Sequence, residues 1–240
     1  MIPKIIHYCW FGCKEIPALQ RECIASWQKY LPDYQLMLWN EENFCIKDYP
    51  FAARAYQEQK YAFVSDVCRL VVLEQWGGIY LDTDVELLGT LNPFLKHTAF
   101  IGFEDYTKLQ TGLIGSEKGG KWITELLHIY QEKQFVNLDG SYNLTTNVDL
   151  ISAEMEKRGI VLQNQYLSIE SYVTLYPLDY FCAKSHIDGS IIKTLHTVAV
   201  HHFAGSWLEN KDRRARNVRQ FLRRVLGTEM YFKIKTIIKR

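Results

Sequence analysis

Asp82 and Asp84 stand either side of Thr83, directly after the apolar run Ile79-Tyr80-Leu81. If the two-residue period of a strand carries through them, both side chains fall on one face, with Cα atoms roughly 6 to 7 Å apart. Two carboxylates so placed suit one hard divalent cation, Mn2+ or Mg2+, which takes oxygen ligands and keeps open positions for phosphate oxygens. Such an ion neutralises the charge that gathers on a departing diphosphate. Acid pairs around a single residue also occur in solvated turns, so context matters. Here Gly77-Gly78 precede the run, and Val85 and Leu87 follow it. Acids enclosed by so much apolar sequence are poorly solvated unless a ligand compensates.

Asp66 and Arg69 form a second constellation. Three apart on a predicted helix, they project from one face among Phe63, Val67, Leu70 and Leu73. The plainer reading pairs them with each other. The functional reading has Asp66 accepting from sugar hydroxyls and Arg69 turned toward sugar or phosphate, since a planar guanidinium suits oxyanions and diols.

The elements that must position these groups alternate between strand and helix. Ile5 to Phe11 reads as a buried strand closed by Gly12, Pro17 to Tyr30 as a helix, and Tyr34 to Trp39 as a strand before Asn40. Pro50 to Gln59 and Tyr61 to Trp76 read as two helices, the second stopped by Gly77-Gly78. Ile79 to Leu81 is then a short strand running into the acid pair. Further strands are expected over Phe100 to Phe103, Thr111 to Gly115 and Val198 to Phe203, with a helix over Trp122 to Gln131. This order predicts a layered α/β domain with a mostly parallel sheet, whose ligand crevice lies beyond the carboxyl ends of the strands. Trp10, Asn40 and Asp82/Asp84 all fall at such ends. Phe135 to Asp188 offers no clear periodicity.

Bulk properties fit one such domain. With 240 residues, 48% hydrophobic and 23% charged, the chain can bury a sizeable core and lies far from disordered or coiled-coil compositions. The absence of a long apolar run predicts a protein on the cytoplasmic side, and the six cysteines, with no CxxC pair, are expected as reduced thiols. The net charge of +1 hides an asymmetry: eleven of the 28 Lys and Arg, but two of the 27 Asp and Glu, lie in 211–240. Within that tail Val218, Phe221, Leu222, Val225 and Leu226 recur at helical spacing amid arginines. The expectation is a catalytic domain over 1–210 and a basic amphipathic helical appendage over 211–240. The appendage either docks on the domain or touches an anionic inner-membrane surface.

Taken together, Ser65-Asp66 with Arg69, continuing through Gly77-Gly78-Ile79-Tyr80-Leu81-Asp82-Thr83-Asp84, resemble the signature of glycosyltransferases with the DXD sugar-binding region. That family includes the yeast initiating outer-chain mannosyltransferase and bacterial capsular-polysaccharide transferases, with the glucosylating domains of large clostridial toxins as distant relatives. The opening Ile2-Pro3-Lys4-Ile5-Ile6-His7-Tyr8, with Trp10-Phe11-Gly12, is similar to the same group's first strand. His202-Phe203, with Gly205-Ser206-Trp207, resembles its closing motif.

The resemblance implies a GT-A fold, a nucleotide-sugar donor, a divalent cation (Mn2+ or Mg2+) and retention of anomeric configuration without a protein nucleophile. It implies that Trp10 stacks on the base, which any aromatic face does for about 1 to 3 kcal/mol. Asn40 would touch the nucleoside, and Ser65, Asp66 and Arg69 the ribose and donor sugar. Tyr80 and Asp82 would line the donor site, Asp84 would ligate the metal with Asp82 beside it, and Ser206 and Trp207 would close over the diphosphate. An imidazole would complete the metal site; His202 is favoured over His201 for its Phe-x-Gly context. Catalysis is expected to rest on Asp66, Arg69, Asp82 and Asp84. A UDP-hexose donor is favoured through Trp10, although the yeast relatives use GDP-mannose. The expected acceptor is an oligosaccharide or lipid-linked saccharide, in bacterial surface-polysaccharide synthesis; no nucleic-acid partner is expected. Two rivals are a non-catalytic sugar-nucleotide or glycan-binding module and a haloacid-dehalogenase-type phosphohydrolase, the latter lacking a matching GDxxxD cluster.

Overall fold

Ile5–Cys9 (β1) alternates its side chains between two apolar layers, and β-branched residues keep it extended. In the computed structural model, which describes residues 1–205, 210–227 and 230–231, this strand lies within a seven-stranded sheet. The chain continues through α1 (Ala18–Tyr30), β2 (Gln35–Trp39), α2 (Pro50–Gln57), α3 (Tyr61–Trp76), β3 (Gly78–Leu81), β4 (Val85–Leu87), β5 (Ala99–Phe103) and β6 (Leu109–Ser116). It then forms α4 (Lys121–Glu132), α5 (Asn147–Lys157), β7 (Leu167–Ile169), β8 (Val173–Tyr176), α6 (Leu178–Phe181), β9 (Ala199–His201) and α7 (Asn210–Leu226).

The sheet order is β2-β1-β3-β6-β5-β8-β7. β1 pairs in parallel with β2 and β3, and β5 with β8, while β6 and β7 run against their neighbours. Five strands therefore share one direction, and the expected α/β layering with a mostly parallel sheet is present. The sheet separates two apolar layers. Tyr80, Ile101 and Ile114 face the core formed with α2, α3, α4 and α5. Their neighbours Ile79, Leu81, Phe100 and Leu113 face the opposite core with Trp27 of α1 and Phe181.

α3 has the predicted bounds and ends at Gly77, whose φ of +66° disfavours any residue with a Cβ. Gly78 follows at φ +107°, and a Cβ there would lie 2.7 Å from the Ile5 carbonyl oxygen. The two glycines thus let β3 start directly against β1. Phe135 to Asp188, opaque in sequence, contributes α5, β7, β8 and α6. The late strand is shorter than expected: β9 pairs antiparallel with β4 in a separate two-stranded sheet.

His7, fully buried on β1, locks this region. Its Nε2 lies 2.8 Å from the Gly77 carbonyl, and Trp39 Nε1 donates to its Nδ1 at 3.1 Å. Nδ1 must therefore be bare, and the ring neutral. Burial lowers its pKa from 6.5 to about 4, against the raising pull of the Gly77 carbonyl. Above pH 6.5 both folded and unfolded forms are neutral. As pH falls toward 4 only the unfolded chain binds the proton, so stability drops by about 1.4 kcal/mol per unit, roughly 2 to 3 kcal/mol over the window. Denaturant unfolding at pH 7 and pH 4.5 should show this loss, and His7→Gln should flatten it; an unchanged slope in the variant would exclude His7 as its source.

Candidate metal and donor site

Three parallel strands end side by side. Cys9 of β1 pairs with Trp39 of β2, and His7 with Tyr80 of β3, so the residues beyond them, Trp10, Asn40 and Asp82, emerge along one edge. Trp10 donates its backbone N–H to the Trp39 carbonyl at 2.9 Å, extending the β1–β2 ladder. Two inter-strand spacings put Asn40 and Asp82 about 10 Å apart with Trp10 between them. The Trp10 ring is half-buried, its Nε1 donating to the Lys14 carbonyl. Asn40 Oδ1 accepts the Glu42 N–H at 2.9 Å, closing the turn after β2.

Asp82 and Asp84 converge with His201. Their ligand atoms lie within 4.8 Å of one another: His201 Nε2 is 3.3 Å from Asp84 Oδ1 and 4.0 Å from Asp82 Oδ2. The expectation that His202 completes this group is corrected. β9 places His201 opposite Val85, and alternation sends the next side chain elsewhere, so that His202 Nε2 lies 2.9 Å from Glu86 Oε2. Asp84 is further held by the Ala204 N–H, donated to its Oδ2 at 2.7 Å. Burial alone would raise the Asp84 pKa, but the charge of His201 and these hydrogen bonds outweigh it and hold the carboxyl at about 2. Burial likewise opposes the charged form of His201, and Asp84 overrides it, raising the imidazole well above its ordinary value.

The group fits a divalent cation. Two carboxylates and one imidazole form the oxygen-rich, borderline donor set that Mn2+ and Mg2+ accept. Gly112 leaves room beside it: a Cβ there would lie 3.1 Å from the His201 ring and 3.2 Å from Asp82 Oδ2. Asp82, whose side chain is 25% exposed against 13% for Asp84 and 12% for His201, is the most open of the three.

Arg69 is buried against the acids. Its Nη2 is 3.1 Å from Asp66 Oδ1 and 3.3 Å from Asp82 Oδ1, and Nη1 donates to the Thr111 carbonyl at 2.6 Å. Nε donates to the Ser65 carbonyl at 3.3 Å, and the guanidinium lies 4.5 Å from the centre of the Tyr80 ring. Each guanidinium nitrogen is thus engaged, and the side chain is 5% exposed. Arg69 thus pairs Asp66 and Asp82 and has no unengaged nitrogen for the contact with sugar or phosphate that was expected. Tyr80 assists, its hydroxyl donating to Asp82 Oδ1 at 2.9 Å. Burial pushes Asp66 up to about 6 despite the opposing pull of Arg69. The Ser65 hydroxyl donates back to the Tyr61 carbonyl at 3.2 Å, an intrahelical bond.

Ser206 and Trp207 lie outside the described residues. Two neighbours complete the surroundings. Asn147 is buried at the start of α5, and its Nδ2 donates to the Asp66 carbonyl at 3.0 Å. Glu104, just past β5 on the same sheet edge, lies 3.7 Å from His186. Burial raises its pKa against the pull of His201 and His186. Its only sequence signal was a polar pair after an apolar strand, which a turn explains equally well.

Residues 17–101 match the family model described as the glycosyltransferase sugar-binding region containing the DXD motif. Over 134 residues the chain is 34% identical to inositol phosphoceramide mannosyltransferase 3 of Schizosaccharomyces pombe, covering 52% of this chain and 36% of that protein. It is 31% identical over 105 residues to the mannosyl phosphorylinositol ceramide synthase SUR1 of Saccharomyces cerevisiae, covering 42% and 27%. The matched stretch therefore spans about a third of these relatives. Among solved structures, the PaToxG glycosyltransferase superposes with a TM-score of 0.49 at 22% identity, over 65% of this chain and 69% of that one. The family model thus meets the resemblance read from Ser65 through Asp84, while the opening and closing motifs lie outside the residues it matches.

Proposed function

We propose, from the premise that residues 17–101 carry a glycosyltransferase sugar-binding region with its DXD motif, that this chain is a metal-dependent, retaining glycosyltransferase. It moves a hexose from a nucleoside-diphosphate sugar to a saccharide or lipid-linked acceptor. One observation carries this reading: Asp82, Asp84 and His201, with ligand atoms within 4.8 Å, gather at the strand edge that also bears Trp10 and Asn40.

Asp82, Asp84 and His201 would hold Mn2+ or Mg2+, and such an ion, when bound, supplies positive charge to a departing diphosphate. Arg69 and Tyr80 engage Asp82 Oδ1 and leave Oδ2 toward the cluster. The Ala204 N–H and His201 orient the Asp84 carboxylate. Such preorganisation costs no rearrangement when charge develops on the phosphate. Trp10 offers a flat face for the base, and Asn40 a polar neighbour for the nucleoside. The bond from the anomeric carbon to the phosphate oxygen breaks as a bond to the acceptor hydroxyl forms on the same face. The hydroxyl proton passes to the leaving phosphate, so no protein nucleophile is required.

Trp10 favours a UDP-hexose, whereas the names of the relatives print mannosyl transfer to inositol phosphoceramide and so favour mannose and a lipid acceptor. The bacterial surface-polysaccharide setting draws no support from these fungal relatives. The test is a panel of UDP- and GDP-sugars with Mn2+, following nucleotide release and the anomer formed. Slow release from one or two donors, abolished by a chelator and with configuration kept, is expected. Thermal stabilisation without release would leave a binding module, and cleavage of simple phosphate esters a phosphohydrolase; either outcome overturns the transferase reading.

A further inference from the structure

α7 rests on the body through its polar side. Arg216 Nη2 donates to the Ala204 carbonyl at 3.0 Å, Gln220 Nε2 to that of His186 at 2.9 Å, and Arg223 Nη1 to that of Ile187 at 3.3 Å. At 3.6 residues per turn these three positions share one side of the helix. Val218, Phe221 and Val225 fall on the opposite side, and they are 57%, 64% and 63% exposed. The helix thus turns its apolar stripe away from the domain, reversing the arrangement expected of a helix docked on a core.

The surroundings of that stripe select its occupant. Arg214, Arg219 and Arg224 are exposed along it, and eleven Lys and Arg against two acids lie in 211–240. A second copy of the chain meeting stripe to stripe would set arginine against arginine. An anionic bilayer offers both complements, acyl chains for the stripe and phosphates for its rim. We propose that α7 lies in the surface of an anionic membrane, with Val218, Phe221, Leu222 and Val225 inserted and the flanking arginines at phosphate level. Ala204 links this helix to the acid cluster, since its carbonyl accepts from Arg216 and its N–H donates to Asp84. If the transferase reading also holds, α7 seats the cleft where a lipid-linked acceptor is presented.

Flotation of the full chain with phosphatidylglycerol-containing and with pure phosphatidylcholine vesicles tests this. Each basic residue near an anionic surface raises partitioning roughly fivefold, so binding at least tenfold stronger to the anionic vesicles is expected, weakening with salt. The triple variant Val218→Ser, Phe221→Ser, Val225→Ser should lose most of that binding while keeping its melting temperature, because these side chains are exposed. Equal partitioning of variant and parent overturns the proposal. So does a parent dimer, seen in sedimentation velocity, that the variant abolishes without any vesicle binding. Flotation uses no donor, so its outcome is independent of whether the chain transfers sugar.

Discussion

Asp84→Ala should lower nucleotide release from the accepted donor by roughly a hundredfold or more, while the protein still folds. Asp84 is where the site's charge is most firmly placed: His201 lies 3.3 Å from its Oδ1, and the Ala204 N–H donates to its Oδ2. Removing the carboxylate deletes a ligand and leaves the His201 imidazole without its Asp84 partner. Asp84→Asn separates the two effects, because the amide oxygen still accepts from Ala204 but carries no charge. The asparagine variant is expected to melt within a few degrees of the parent, yet to need far more Mn2+ for any activity. Release within threefold of the parent in either variant would remove Asp84 from the catalytic centre.

Arg69→Met should be the most destabilising single change near the site. The guanidinium is the cation between two carboxylates, Asp66 and Asp82, and it also supplies the hydrogen bond to the Thr111 carbonyl. Truncation leaves the buried Asp66 without its hydrogen-bonded counter-charge and Asp82 without one of its partners, a loss of about 3 to 5 kcal/mol. For a chain of this size that corresponds to a fall in melting temperature on the order of 10 °C. Arg69→Lys should recover only part of it, because one ammonium cannot reach both carboxylates and the carbonyl in the planar geometry of the fork. Adding Asp66→Asn to Arg69→Met should restore stability in part, since one uncompensated acid is removed. Additive losses in the double variant would mean that the pair is not coupled.

The two variants divide the site by role. In the proposed site Asp84 would ligate the cation, whereas Arg69 would act through Asp82, to which it is paired. Arg69→Lys should therefore raise the Mn2+ requirement together with its loss of stability, while Asp84→Asn should change the requirement alone.

Much of the framework was legible in the chain. α3 stands at its predicted bounds because a largely apolar helix runs into two glycines, a signal that is strong and local. The parallel alignment of β1, β2 and β3 followed from the alternation of strand and helix, and it brought Trp10, Asn40 and Asp82 to one edge as expected. Phe135 to Asp188 resisted reading because β7, β8 and α6 are short and depend on partners far away, such as the pairing of β8 with β5.

Local chemistry was therefore determined by the sequence itself: residue types, strand and helix periods, and the place of two acids just past the end of β3 depend only on near neighbours, although the acids meet through a turn, closed by the Val85 N–H on the Asp82 carbonyl at 2.9 Å, and not through the strand alternation that was expected. The tertiary structure alone decided which histidine faces those acids, what engages Arg69, and which side of α7 meets the body. Each of these depends on a pairing between segments distant along the chain: β9 against β4, α3 against β6, α7 against the loop around His186. A shift of one residue on a strand turns its side chains to the other face, and nothing within His201-His202 itself specifies that register.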